Sequence, residues 1–244
     1  MASNRASLEG TPSDLFDARA VWVNPGGLAL VPEASLHLGI SVGDPGAGGR
    51  VRQGTVSLNS RGIAFGYQHD VFSNDVSDTY RAAIGGGKQG VAGGLALALY
   101  RGHADATGWD AGVVFARNPA VAVAGVLANL GQPVVRGEQQ PRTLVPSVTL
   151  HPFGPLLAVS GLGRLTADSA LGFAAAARLV TPGRTRLGLS VRVDLDRSFH
   201  RTGLTFGLAL GGADQVGVVA STMTGTSGVA MGDVYGVSTR SAGR

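Results

Sequence analysis

Residues 184–194 read RTRLGLSVRVD. One face of this stretch carries Arg186, Gly188, Ser190, Arg192 and Asp194, and the other carries Leu187, Leu189, Val191 and Val193. Successive side chains of a strand point to opposite faces, so a period of two predicts a β-strand with one apolar and one polar face. Residues 202–211 repeat the pattern, with Leu204, Phe206, Leu208 and Leu210 against Gly203, Thr205, Gly207 and Ala209. Upstream, Leu95, Leu97 and Leu99 oppose Gly94, Ala96 and Ala98, while Ile63, Phe65 and Tyr67 oppose Ala64, Gly66 and Gln68. Trp109, Ala111, Val113 and Phe115 oppose Asp110, Gly112 and Val114 in the same way.

Turn signals punctuate these runs: GDPGAGG from Gly43, NSRG from Asn59, GGGKQG from Gly85, RNP from Arg117, TPGR from Thr181 and GGAD from Gly211. Gly, Pro, Asn and Asp supply the backbone angles that tight turns need. The segmentation predicts about fourteen strands, at 35–42, 51–59, 61–70, 78–86, 91–101, 108–117, 119–130, 143–151, 156–164, 170–180, 184–195, 201–211, 214–223 and 228–238. The expected fold is all-β, an antiparallel meander.

What lies opposite the apolar face separates a soluble sheet from a membrane one. In water that face is normally charged, yet here it is mainly Gly, Ala, Ser and Thr with scattered Arg and Asp. Lys88 is the single lysine, although lysine is the usual guard of exposed strand edges. A closed transmembrane β-barrel reverses the arrangement: apolar rows meet hydrocarbon, small and polar residues line the lumen, and closure pairs every backbone group. Segments of about ten residues match the length such strands need. Membrane lipid is then the expected partner of the outer face. A soluble β-sandwich binding module is the competing reading. The aromatic residues, 6% of the chain, make thin girdles; the candidates are Phe65, Tyr67, Tyr80, Tyr100, Trp109, Phe115, Phe153, Phe173 and Tyr235.

Composition removes other classes. The 244 residues are 44% apolar and 15% charged, with no Cys, so disorder, disulfide frameworks and thiolate chemistry are excluded. A formal charge of +4 carried almost wholly by arginine does not indicate nucleic acid, because the arginines are spread singly along the chain. Three long stretches lack charge, 118–135, 143–163 and 215–232, but the first two contain several prolines and the third is rich in Gly, Ser, Thr and Val, poor material for a spanning helix. Residues 1–19 contain no apolar run of the kind a leader peptide needs.

Ahead of the first strand, SDLFDARAVWVNPGGLALVPEASL breaks the alternation and reads as a short helix followed by an Asn-Pro-Gly-Gly turn. Within it AVWVNPGGLA, residues 20–29, resembles the A-x-W-x-NPAGLA signature of FadL-like outer-membrane barrels, which include hydrophobic-compound transporters and PorV-like proteins. VLANLGQP and LVPSVTLHPFG are similar to hairpins of the PorV-like branch. Gly26 stands where that family usually has Ala. The resemblance implies a bacterial outer-membrane location and a hatch folded into the lumen, with Trp22, Asn24, Pro25, Gly26, Gly27 and Leu28 at the plug. It further implies a porin-like role in passing hydrophobic or amphipathic compounds, or a place as a barrel subunit among envelope protein partners. A structural anchor barrel of a larger, for example peptidase-linked, protein is the alternative. The expected division is a hatch at 1–34, a barrel at 35–238 and a tail at 239–244.

Little in the sequence points to catalysis. His37, His69, His103, His151 and His200 have no ligand spacing, so no metal or other cofactor is expected. IGGGKQG lacks the hydroxyl after its lysine and reads as a hairpin. The chain is expected not to be an enzyme. By parity Arg81, Asp110, Arg178, Arg186, Arg192 and Asp194 point into the lumen. They are expected to form structural ion pairs, to hold the hatch, or to line a path for an anionic or amphipathic solute.

Overall fold

Two tight turns illustrate how the chain reverses. Arg61 and Gly62 have φ of 52° and 91°, and Gln89 and Gly90 have φ of 55° and 77°. Two consecutive left-handed residues match the right-handed twist of the strands they join, which is why such pairs favour two-residue hairpins. The sequence IGGGKQG is therefore a hairpin: Lys88 ends one strand and Val91 begins the next.

The computed structural model describes residues 10–31, 33–72, 75–102, 105–135, 137–167, 169–223 and 228–241. Fourteen long strands follow in order: β1 (Glu33–Gly43), β2 (Arg50–Ser60), β3 (Ile63–Phe72), β4 (Asp75–Lys88), β5 (Val91–Arg101), β6 (Ala106–Asn118) and β7 (Val121–Leu130), then β8 (Thr143–Leu150), β9 (Leu157–Leu165), β10 (Ala170–Val180), β11 (Leu187–Leu195), β12 (Arg201–Gly211), β13 (Asp214–Met223) and β14 (Met231–Ser241). Each pairs antiparallel with its neighbours in sequence, and β1 pairs with β14 from Glu33 opposite Ser241 to Gly43 opposite Met231, closing the barrel. One closed sheet replaces two stacked sheets, so the β-sandwich alternative is overturned. A two-residue ladder, Val134–Val135 with Glu138–Gln139, sits in the 131–142 loop and carries no signal in the sequence.

The alternation is expressed as an inside and an outside. Leu36, Leu38 and Ile40 of β1, Ile63 and Phe65 of β3, Trp109, Val113 and Phe115 of β6, and Phe206, Leu208 and Leu210 of β12 are exposed on the outer wall. Their inward neighbours His37, Ala64, Asp110, Thr205 and Ala209 are buried. The apolar surface thus faces out and the polar residues face in, the reverse of a water-soluble core. Two of the proposed girdle aromatics do not belong to this outer surface. Tyr100 and Tyr235 are buried in the lumen because they share parity with Ala96 and Ala98 and with Asp233 and Val237. Tyr67 and Tyr80 remain outside, with ring centroids 5.2 Å apart.

The two ends differ. At the end where β1 starts and β14 finishes, connections are short at 61–62, 89–90, 119–120 and 212–213, with longer ones at 151–156 and 181–186. The opposite end carries 44–49, 131–142 and 196–200. Among the described residues no helix is long and apolar enough to cross a membrane.

Candidate functional site

The hatch is built on Asn24. A four-residue helix, Ala20–Val23, ends at this residue, whose extended backbone (φ −154°, ψ 102°) turns the chain into a 3-10 helix at Pro25–Ala29. Proline suits the first position of a helix, where its missing N–H costs nothing. The Asn24 Oδ1 accepts from the Gly26 N–H at 3.0 Å, and its Nδ2 donates to the Pro12 carbonyl at 3.0 Å and to Val113 O on β6 at 3.3 Å. Asn24 is fully buried, so these bonds replace the water that its amide loses. The Asn-Pro-Gly-Gly stretch is thus a turn stitched to the barrel wall.

That wall is shaped to receive it. A side chain at Gly112 would collide with the Asn24 amide, and one at Gly94 would collide with the Pro25 carbonyl. Bare backbone on β5 and β6 lets the hatch approach closely. Leu28, Val21 and Ala20 pack with Ala64, Ala83 and Ala96 of β3, β4 and β5. Trp22 packs against the same cluster, above Gly66. Asn59 of β2 donates to Leu28 O at 3.2 Å. Arg81 of β4 donates to the Val21 carbonyl at 2.9 Å, pairs with Asp110 of β6, and lies 5.7 Å from the Trp22 ring centroid. Asp110 in turn accepts from the Asn129 N–H at 2.8 Å.

A second set of contacts ties the start of the hatch to the far wall. Ser13 hydrogen-bonds Thr149 of β8 at 2.8 Å, Thr11 meets the same hydroxyl at 3.2 Å, and Thr149 continues to Ser160 of β9 at 2.9 Å. The Asp14 carboxylate accepts from Arg178 of β10 at 2.8 Å and has His151 Nε2 at 3.4 Å. Between the two sets, Asp17 accepts from the Arg19 backbone N–H and its guanidinium, with N–O distances of 2.7 to 3.1 Å, while Arg19 stacks 5.3 Å above the Tyr235 ring. Burial alone raises the Asp17 carboxyl pKa, but the Arg19 charge and its hydrogen bonds outweigh it and hold the carboxyl below its usual 3.8.

The hatch covers the inner faces of β3 to β7, where Ala64, Ala83, Ala96, Val114 and Ala124 are buried. The inner face of β11 stays half-open, with Gly188, Ser190, Arg192 and Asp194 partly exposed. Here Arg192 and Arg164 both reach Asp194, at 2.8 and 3.0 Å. Beside the hatch a cavity of about 380 Å³ opens at the short-turn end, lined by Asp14, Phe16, Arg19, Glu33, His151, Arg178, Arg186 and Tyr235 among others. On the opposite wall Asp70 is buried and accepts from Gln53 and Gln68, both at 2.7 Å.

The six hatch residues named from the sequence lie together against β3–β6. Of the six lumen residues, Arg81 and Asp110 meet beneath the hatch, Arg178 grips Asp14, and Arg192 and Asp194 pair near the other end. Arg186 precedes β11 and lines the cavity without an ion pair among the described residues. Sequence reasoning missed Asn59, Thr149 and Arg164, although strand parity was sufficient to place them inward. It also missed Asp14, Asp17 and Arg19, which lie in the non-repeating segment, where there is no period to read. His103 falls outside the described residues.

No family model and no curated protein sequence matches this chain. Among solved structures it is similar to the toluene transporter TbuX of Ralstonia pickettii, at 13% identity and a TM-score of 0.57, over 91% of this chain and 92% of that one. It is also similar to the toluene transporter TodX of P. putida, at 12% identity and a TM-score of 0.58, over 93% and 94% of the two chains. The likeness is one of fold.

Proposed function

We propose that this chain is a FadL-like outer-membrane barrel that passes a hydrophobic or amphipathic compound, with the hatch dividing its lumen. The cavity beside the hatch carries this reading: a closed wall that is apolar outside encloses polar space that the hatch does not fill. The apolar outer rows support residence in lipid, since a closed barrel leaves no strand edge unpaired. The short turns and both barrel termini at one end support placing that end in the periplasm. The fold likeness to two toluene transporters supports transport as the class of activity.

A second reading is favoured by a different observation. The side of the lumen along β1–β7 is packed shut, with His37, Asn24, Leu28 and Tyr100 all buried there. A wall so filled suits a membrane anchor for a larger or partner-bound protein. Uptake into proteoliposomes separates the two. Transport predicts that barrels whose gel mobility shifts on boiling speed the entry of toluene or a medium-chain carboxylate over empty vesicles. Correctly folded barrels that leave both rates unchanged would rule transport out in favour of the anchor.

A further inference from the structure

We infer that the outer wall at the short-turn end holds a site for an anionic phospholipid, with Lys88 and Arg117 taking the phosphate and a depression across β4–β8 taking an acyl chain; this rests on the membrane reading above and not on passage. Lys88 is the chain's single lysine. It ends β4 on the same parity as the outward Ile84, and Arg117 continues the outward series of Val113 and Phe115 on β6. The two flank one hairpin. Lys88 precedes the turn at 89–90, and the Ala116 N–H donates to the Gly90 carbonyl at 2.7 Å, which sets Arg117 beside that turn. Both residues are exposed, and neither makes an ion pair among the described residues. Arg61 adds a cation on the neighbouring short turn. No Asp or Glu occurs at 79–104 or at 111–137, so these strands carry nothing that cancels the charge at the rim. At the 212–213 turn, by contrast, Asp214 accepts from Arg240 at 2.7 Å.

From these cations toward mid-membrane the wall recedes. Gly86, Gly93, Val113 and Gly125 lie side by side across β4 to β7, and Ile84, Leu95, Ala111 and Leu127 form the next row. Together they shape an apolar depression of about 730 Å³ on the outer wall. The outward glycines differ from the inward ones. Gly94 and Gly112 are bare because the hatch fills their side-chain space. A side chain at Gly86 would meet nothing within 4 Å, and the nearest neighbours at Gly93 and Gly125 lie at 3.7 and 3.9 Å, ordinary contact distances. Neither the backbone nor the packing of the barrel calls for glycine at these three positions. What their bareness provides is room outside the wall.

Lipid chains cover any apolar wall in a bilayer, so the depression alone selects nothing. The cations supply the selection: an ammonium or guanidinium makes charge-assisted hydrogen bonds to a phosphate, and cations at a membrane surface attract anionic lipid. The turn between Lys88 and Val91 is two residues long, which keeps the charge close to headgroup level. A chain descending from that head enters a concave surface, where it meets more wall atoms than it would on a convex one and gains dispersion energy from each.

Quenching of Trp109, exposed on β6 two residues from Ala111, reads the site. Barrels in phosphatidylcholine vesicles receive the same mole fraction of phosphatidylglycerol or of phosphatidylcholine brominated on the acyl chains. Phosphatidylglycerol is expected to quench as though enriched about fivefold beside the tryptophan. Lys88→Gln with Arg117→Gln should bring the two lipids level. Gly93→Leu, which fills the depression from an unobstructed position, should lower the preference about twofold or more. The preference is a ratio between two lipids, so a change in Trp109 exposure cancels, and a retained boil-induced mobility shift verifies that each variant is folded. Equal quenching by both lipids in the wild type, or a preference that survives either set of substitutions, overturns the site and leaves the barrel in lipid. Quenching by neither lipid overturns the membrane reading as well. A wild-type barrel that crosslinks as a dimer, and as a monomer once Gly93→Leu is made, would give the depression to a second copy of the chain and overturn the lipid site.

Discussion

The carboxamide of Asn24 occupies the space that any side chain at position 112 would need. Glycine on β6 is thus the counterpart of the hatch asparagine, and the two together set how deeply the plug seats. Gly112→Ala inserts a methyl into a filled site, which typically costs about 1–3 kcal/mol. The expected result is a hatch pushed off its wall in an intact barrel. Trypsin cleavage after the buried Arg19 should accelerate, while the boil-induced mobility shift stays as in the wild type.

Arg81 and Asp110 form a buried ion pair under the hatch. Asp110→Ala leaves the guanidinium unpaired and removes the acceptor of the Asn129 N–H, a loss of about 3–5 kcal/mol. Arg81→Met combined with Asp110→Leu removes both charges and should recover much of that loss. Thermal unfolding of the two variants checks the difference, and equal destabilisation in both would argue against a charge effect.

Inward and outward positions should respond oppositely to charge. Leu208 is exposed near the middle of β12, and Ala176 faces the lumen from β10. Leu208→Arg should weaken insertion into lipid by about 2–4 kcal/mol, the cost of a cation at mid-membrane. Ala176→Arg should leave insertion nearly unchanged. Folding titrations into lipid vesicles give both numbers.

Asp17 makes the hatch sensitive to acid. Its folded pKa lies below the ordinary 3.8, so the folded state binds fewer protons and the stability gained is fully present above that value. It drains away as pH falls through the lower folded value. Trp22 and Trp109 are the two tryptophans, so Trp109→Phe leaves Trp22 as a hatch reporter. Its fluorescence should change on acidification below about pH 4. Asp17→Asn should weaken the hatch at neutral pH by about 3 kcal/mol, through loss of the charge paired with Arg19, and blunt the acid response.

The wall was far more legible than the plug. Alternation is binary, so each strand needs only its own residues to declare which side faces lipid, and all fourteen strands appear in the pattern. Edges moved where a loop closes on itself. The strand expected from residue 184 begins at Leu187, because Thr181 Oγ1 accepts from the Leu187 N–H at 2.9 Å and keeps 182–186 as a loop. Tyr100 and Tyr235 were misread as girdle residues because aromatic identity was weighed above parity. The ties of the hatch were illegible for another reason. Ser13 meets Thr149 across 136 residues, and nothing local to either residue encodes that distance. Arg164 differs, since the parity of its strand suffices to place it inward even though it was missed, and what the sequence lacks is its proximity to Asp194.

The seam joining Glu33 to Ser241 has a topological consequence. With an even number of crossings, the segment entering the cylinder and the segment leaving it emerge side by side. The first residue of the wall and the last therefore border one compartment, and a fluorophore pair attached beside Glu33 and Ser241 should report close approach.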